Sequence, residues 1–434
     1  MLDTVTLKYS IQCISGELEI KNQTWITDQS YFLSSYLSTL TINNSTVYDI
    51  TSDGSIFALT DTVVTMSNIE AYNLHTDSTG NFIQLSFDSI ATLTSFNYVN
   101  STAKFVESLS SQLLITNLMS KNITLAQHLI DYTDCQNVTM LNVMIYDINT
   151  TISYLMYATR SYIDQIVNMT VHDINSSVFY ILKSNVTAIS DLYIYDVTDG
   201  VHFKQSSVGI LENSRIYRSG STSKQQGGAL FIENSNSTMQ NMTFLSNIAQ
   251  SGGAINIDCD SYERCQNIIL KSTFSNNFAI EQGGAIYYNY RRPEMSNITF
   301  NNNDALYGSD IGSYPVRIVN SDMIDDSIVL TNVASGMIYS ETLKLLLVDY
   351  DGQTMNLVNN SQIKISPVTS GASLLGVDYS VLINGEAIFD TLQFVYAPGQ
   401  DNVQFLATCD LIDSDKVSYL SLPTNDSIDV SFRY

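Results

Sequence analysis

Three aspartates recur in one context: Asp147 in IYDIN, Asp173 in VHDIN and Asp196 in IYDVT, 26 and 23 residues apart. If the chain coils once per repeat, they stand in a column at steps of about 5 Å. Glycoside hydrolysis uses two carboxylates about 5–9 Å apart across the scissile bond. Their shared turn context marks these three as parts of a repeated corner instead. Arg215 and Arg218, near Glu212, are the one cluster in the repeats that sets cations beside a carboxylate, as polysaccharide elimination would require. Asp325-Asp326 and Arg317 come after the repeats have ended. Asp349 and Asp351 in DYDGQ could join a calcium site, or form a turn with solvated carboxylates. His75, His128, His172 and His202 are scattered singly and C-x-x-C is absent, which argues against zinc. G-x-S-x-G, P-loop and H-E-x-x-H motifs are also absent. No catalytic, cofactor or metal residues are therefore assigned, and a non-enzyme is expected.

Two modification chemistries are better marked. N-x-S/T sequons stand at Asn22, Asn43, Asn44, Asn100, Asn122, Asn137, Asn149, Asn168, Asn175, Asn185, Asn236, Asn241, Asn297, Asn359 and Asn425. A chain rich in Asn, Ser and Thr generates some of these by chance, and their number favours a secretory route. Cys259 and Cys265 bracket DSYER, a loop that a disulfide could close in an oxidising compartment; five buried thiols are the alternative. The expected location is secreted or on the outer face of a membrane.

Composition narrows the partners. With 43 acidic and 19 basic residues the formal charge is -24, and the longest basic run is Arg291-Arg292. Phosphate backbones and anionic membranes need clustered cations, so both are poor partners. Carbohydrate or protein surfaces remain. No stretch approaches the roughly 20 apolar residues of a membrane helix. The opening MLDTVTLKYS lacks a signal-peptide core, as in a cytoplasmic protein or a piece of a longer precursor.

What would position these residues is a repeat. The phrase S/T-F-x-x-N-x-A followed by G-G-A-I recurs, with Phe244, Phe274 and Phe300 spaced by 30 and 26 residues. Earlier copies lack the glycines but keep a step of 22 to 31 residues over most of the first 310. Each copy reads as short alternating segments divided by Asn, Ser or Gly turns, with no helical period. Such a period means a solenoid, and propeller blades are longer. The expectation is an all-β chain: a right-handed parallel β-helix over residues 1–315, with about a dozen coils and a length of roughly 60 Å. After it, D-G, N-G and P-G turns between alternating strands over 316–434 suggest an immunoglobulin-like β-sandwich.

The paired motifs carry a resemblance. Gly227–Leu230, Gly252–Ile255 and Gly283–Ile286 with Phe244–Asn247, Phe274–Asn277 and Phe300–Asn303 resemble the G-G-A-[ILV] and F-x-x-N repeats of the chlamydial polymorphic membrane proteins. They are also similar to those of the large predicted β-helix surface proteins of ciliates. The resemblance implies a surface-exposed β-helix of the pectin-lyase-like superfamily, adhesive, and part of a longer membrane-anchored chain. That fold also hosts polysaccharide lyases and hydrolases, but the polygalacturonase set N-T-D, D-D, G-H-G and R-I-K is nearly absent. The function expected from sequence is thus a non-catalytic extracellular scaffold or adhesion protein, with a polysaccharide-active enzyme as the alternative. Inward and outward positions are not separable at this level, so no binding residues are named.

Overall fold

The computed structural model describes residues 5–6, 11–21, 23–26, 33–76, 80–126, 128–150, 154–223, 226–321, 328–420 and 427–433. Two compact units result. The first comprises Met1–Ile280, Gly284–Tyr287 and Arg291–Asp304; the second comprises Glu281–Gly283, Tyr288–Tyr290 and Ala305–Tyr434.

The first unit is a parallel β-solenoid, in a chain whose solenoid runs to about 11 turns. Its coils stack residue on residue. Leu40, Val64, Ala91, Leu113, Val138, Ile163 and Val186 share one register position, and all are buried. Each coil turns at single residues in the left-handed region, where Asn and Asp are tolerated best. The first corner holds Asn44, Asn68, Asn117, Asn142 and Asn168, and the second holds Asp49, Asn73, Asn100, Asn122, Asp147, Asp173 and Asp196. The third holds Ser110, Asp134, Arg160, Lys183, Gln205 and Asn234. Amide side chains at the corners bond up the axis, as from Asn142 to Asn117 at 3.0 Å and from Asn168 to Asn142 at 2.8 Å. Two faces lie on the long strands that bend at the first corner, such as Val138–Thr150. A third face is built from Asn81–Ser86, Lys104–Leu109, Ile130–Thr133, Tyr154–Thr159 and Leu230–Glu233. In two coils it merges into the continuous strands Tyr162–Leu182 and Asn185–Lys204.

The recurring F-x-x-N phrase is two internal ladders. Phe244, Phe274 and Phe300 lie in register and stack with centroids 4.9 and 5.3 Å apart. Three residues on, Asn247, Asn277 and Asn303 point inward and are buried. Asn277 Nδ2 donates to the Phe244 carbonyl at 3.1 Å and to Asn303 Oδ1 at 3.0 Å, while its own Oδ1 accepts the Asn247 backbone N–H at 3.0 Å. Corner amides that would be orphaned inside the coil are satisfied in this way. In the glycine pair, Gly252 has φ +65, which costs a side-chain-bearing residue strain. A Cβ on Gly253 would stand 2.2 Å from the Gly284 carbonyl of the next coil.

A serine ladder at the third corner has no counterpart in the sequence reading. The backbone N–H groups of Ser161, Ser184 and Ser206 donate to Oγ of Ser184, Ser206 and Ser235 at 3.0, 3.1 and 2.9 Å. Cys135 occupies the same ladder position, and its N–H donates to Ser161 Oγ at 3.1 Å. Burial raises its thiol pKa.

The second unit is all-β apart from the short helix Ser414–Ser418, capped by Asp413. Its sheets are small. Pro315–Asn320, Leu343–Asp349 and Glu386–Phe389 pair antiparallel. A five-stranded sheet runs in the order Ile328–Val333, Ser427–Phe432, Val403–Cys409, Gln362–Pro367, Tyr379–Val381, and its first pair is parallel. The core includes Leu345, Leu347, Ile363, Phe394, Phe405 and Val430. This mixed pairing differs from a purely antiparallel sandwich. Asp349 is buried and accepts hydrogen bonds from Ser313 Oγ at 3.3 Å, from Gln353 N at 2.8 Å and from the Tyr307 hydroxyl. Its oxygens are occupied by donors, so the calcium alternative for Asp349 and Asp351 gives way to a turn clamp.

Candidate active site on the third face

The aspartate column exists as spaced in the sequence: Asp147, Asp173 and Asp196 stand at the second corner with φ of 52–54°. They line an open groove of about 690 Å³ with Asn149, Asn175 and Thr198. Two of the three are engaged locally. Arg218 forks onto Asp196, with its Nη2 at 2.7 Å, and lies over the Tyr217 ring at 4.8 Å. The Arg218 guanidinium holds the Asp196 carboxyl below its ordinary range. His172 Nδ1 sits 2.7 Å from Asp173. Arg218 is thus a corner clamp, and the lyase-like cluster weighed around Arg215 and Arg218 is not assembled there.

Beside this corner Tyr146, His172, Tyr195 and Tyr217 form a column with ring centroids 5.0, 4.5 and 4.9 Å apart and planes within 9°. Rings stacked on one another along the axis expose edges, not faces. The column therefore offers a sugar ring little to stack on.

The third face is different. One outward register column there reads Gln84, Glu107, Asp131, Tyr157, Tyr180, His202, Phe231. Six steps of about 4.8 Å make it roughly 29 Å long. Its lower end is acidic and locked: Lys104, 4% exposed, lies 3.1 Å from Glu107 and 3.4 Å from Asp131. Asn81 Nδ2 also donates to Glu107 at 2.9 Å. Its middle is aromatic, with Tyr157 and Tyr180 at 5.5 Å and His128 against Tyr157 at 4.9 Å. Tyr154 contacts Tyr180 at 4.4 Å. Its upper end carries proton-transfer groups. His202 meets Tyr180 edge-on at 4.8 Å, and its Nε2 is 3.2 Å from Glu233 Oε2. Lys204 Nζ is 2.7 Å from the other oxygen of Glu233.

His202 is buried, and Tyr154, Tyr180, Lys204 and Glu233 are half-buried. Desolvation, with Tyr180, Asp199 and Glu233 adding negative charge, pushes the Tyr154 hydroxyl up to about 12. Burial also raises Tyr180, against the opposing pull of Lys204. Glu233 raises Lys204, which stays cationic. A carboxylate-held imidazole, protonated phenols and a fixed ammonium on one face are the components of general acid–base catalysis. Among the described residues, no group of three or more His, Cys, Asp or Glu could hold a metal ion.

In the sequence His128 and His202 stand only as scattered histidines, and the tyrosines of this face carry no motif. Tyr157, Tyr180 and His202 lie 23 and 22 residues apart and come together only through register. The sole available signal was that each follows the same inward–outward alternation as its neighbours.

The modification candidates fall elsewhere. Cys259 and Cys265 are joined by a disulfide with Cα atoms 6.0 Å apart. Of the sequon asparagines, Asn43 is half-buried; Asn44, Asn100, Asn122, Asn137, Asn149, Asn168, Asn175, Asn185, Asn236, Asn241, Asn297 and Asn359 are exposed. Asn22 and Asn425 lie outside the described residues, as do Asp325-Asp326.

Residues 156–333 match the family model described as "Right handed beta helix region". The solenoid is a right-handed β-helix. No curated protein matches this chain in sequence. Among solved structures the β-helix protein is similar to an alginate lyase in complex with a trisaccharide, at 10% identity and a TM-score of 0.31, covering 71% of this chain and 84% of the lyase. It is also similar to the A-module of an Azotobacter vinelandii mannuronan C-5 epimerase, at 10% and 0.22, covering 71% and 92%. A third is the enzymatically active domain of tailspike protein 2 of bacteriophage CBA120, at 12% and 0.24, covering 100% and 72%. The expectation of a non-catalytic scaffold or adhesin is corrected here: the similar structures are described as enzymes, and two of them by names of polysaccharide chemistry. That expectation rested on motif absence, and proton-transfer groups assembled by register leave no motif. Likeness at these identities and TM-scores carries no chemistry over to this chain, which has only its own geometry to argue from.

Proposed function

We propose that the β-helix is a polysaccharide-active enzyme working on its third face, and that its reaction is of the elimination type. The observation that carries this is His202 held by Glu233 beside Tyr154 and Tyr180, with Lys204 fixed on the same carboxylate. In such a reaction His202 accepts the proton next to a uronate carboxylate, and Glu233 stabilises the imidazolium that forms. The C–O bond to the leaving sugar breaks, leaving a double bond in the ring. Tyr154 or Tyr180, protonated at neutral pH, donates a proton to the departing oxygen, while Lys204 faces the charge developing on the carboxylate. Hydrolysis is the second reading, but Glu233 is already tied to a cation and an imidazole, which suits it poorly as half of a carboxylate pair.

An extracellular or secreted location is supported by the sequons and by the Cys259–Cys265 disulfide. An immunoglobulin-like kinship of the second unit is supported only by its all-β core.

The test incubates the protein with a panel of acidic and neutral polysaccharides and follows both unsaturated sugar ends and reducing ends. Release of unsaturated ends, falling at least 100-fold in His202→Ala and Tyr180→Phe, is expected. Reducing ends without unsaturation would move the protein to hydrolysis, and an inert panel would overturn the proposal.

A further inference from the structure

The sequons are not spread evenly around the β-helix. Asn44, Asn168, Asn241 and Asn297 sit at the first corner and Asn100 and Asn122 at the second, all in the left-handed region. Asn149 and Asn175 follow the second corner, Asn185 and Asn236 open the strands after the third, and Asn137, at φ 55, stands just before the strand Val138–Thr150. No sequon falls on the third-face strands Asn81–Ser86, Lys104–Leu109, Ile130–Thr133, Tyr154–Thr159 or Leu230–Glu233, nor on the stretches of the long strands registered with them. A second observation concerns stacking. Asn175 Nδ2 donates to Asn149 Oδ1 at 2.7 Å, and its Oδ1 accepts the Thr150 N–H at 2.9 Å. Asn122 likewise donates to Asn100. Each pair stands one coil apart, at about 5 Å.

We infer that N-linked oligosaccharides clothe the corners of the β-helix, one per stacked pair, and leave the third face bare for its polymer. In each modification the asparagine Nδ2 bonds to C1 of an oligosaccharide carried on a lipid pyrophosphate. The C1–O bond breaks, the pyrophosphate leaves on its lipid, and one amide proton goes to a base of the transferase. A sugar on Nδ2 of Asn122 or Asn175 would occupy the space its ladder bond crosses. Asn100 and Asn149 act in those bonds only as acceptors, and their modification leaves the ladder intact. Asn185 and Asn236 have no sequon stacked directly on them, whereas Asn137 Nδ2 donates to Gln112 in the coil below at 3.5 Å. The glycan map stands independently of the proposed activity; the purpose given to the bare face rests on that activity.

The test secretes the full chain from a eukaryotic host and maps occupancy of the folded protein by mass spectrometry. Sugars at Asn185 and Asn236 are expected, with Asn100 and Asn149 modified in preference to Asn122 and Asn175. A secreted protein without sugars, or molecules carrying both members of a pair, would overturn the map. A second arm plants a sequon on the bare face. Asp131→Asn creates Asn-Tyr-Thr, and adding Thr133→Ala removes the sequon but keeps the lost charge. Depolymerisation at least tenfold slower in the glycosylated single variant than in the double variant is expected. Equal rates would overturn the working role of the bare face while leaving the map standing.

Discussion

At the scale of single residues, the third face shows how a charge is kept inside an apolar surround. Lys104 is almost wholly buried, and its ammonium is shared between Glu107 and Asp131. Removing the cation leaves two half-buried carboxylates beside each other. Breaking a buried ion pair from one side costs about 3–5 kcal/mol, more than the lost pairing itself. Lys104→Met is expected to destabilise the protein by about 3 kcal/mol in urea unfolding; a change below about 1 kcal/mol would show the cluster to be solvated. The exposed Arg160–Asp134 fork, with its Nε at 2.7 Å, is screened by solvent and contributes little by contrast. The sequence displayed the aspartate column because its members share one local context. It concealed the Lys104 and His202 clusters because Asp131 and Glu233 reach the strands of Lys104–Glu107 and His202–Lys204 only through register.

At the scale of the coil, each repeated motif has a separate physical cause. The phenylalanines of F-x-x-N fill the core, its asparagines satisfy backbone groups in the coils on either side, and the glycines give up a Cβ to the neighbouring backbone. Asn277→Ala removes the amide from the middle of its ladder and leaves buried donors and acceptors unpaired. Each such group costs about 1–3 kcal/mol, so a loss of about 3 kcal/mol is expected. Its neighbour Asn276, a corner residue at φ 52, should lose under about 1 kcal/mol as Asn276→Ala. Equal losses in urea unfolding would contradict the ladder. The step of the repeat, its Asn corners and the Phe stack were legible in the sequence, since each depends on spacing alone. The serine ladder was not, because serines spaced by 22 to 29 residues are unremarkable in a chain this rich in serine.

At the scale of the whole molecule, an all-β chain with a parallel β-helix was foreseeable, because a period near 25 residues without helical patterning admits few architectures. The second unit was harder: turn dipeptides locate strands but do not dictate which strands pair, and one parallel pair departs from the expected sandwich. Function was least legible. Motif searches find catalytic residues that are close in sequence, whereas a solenoid assembles them across coils, here from Tyr154 to Glu233. The proposed reaction belongs to the third face and not to the aspartate groove at the second corner. Its most direct test measures polysaccharide depolymerisation by wild type, His202→Ala, Asp173→Asn and Arg218→Ala at equal folded concentration. Loss of at least 100-fold in His202→Ala alone, with the two corner variants within about threefold of wild type, is predicted. Full activity in His202→Ala, or loss confined to Asp173→Asn and Arg218→Ala, would contradict it and return the site to the corner.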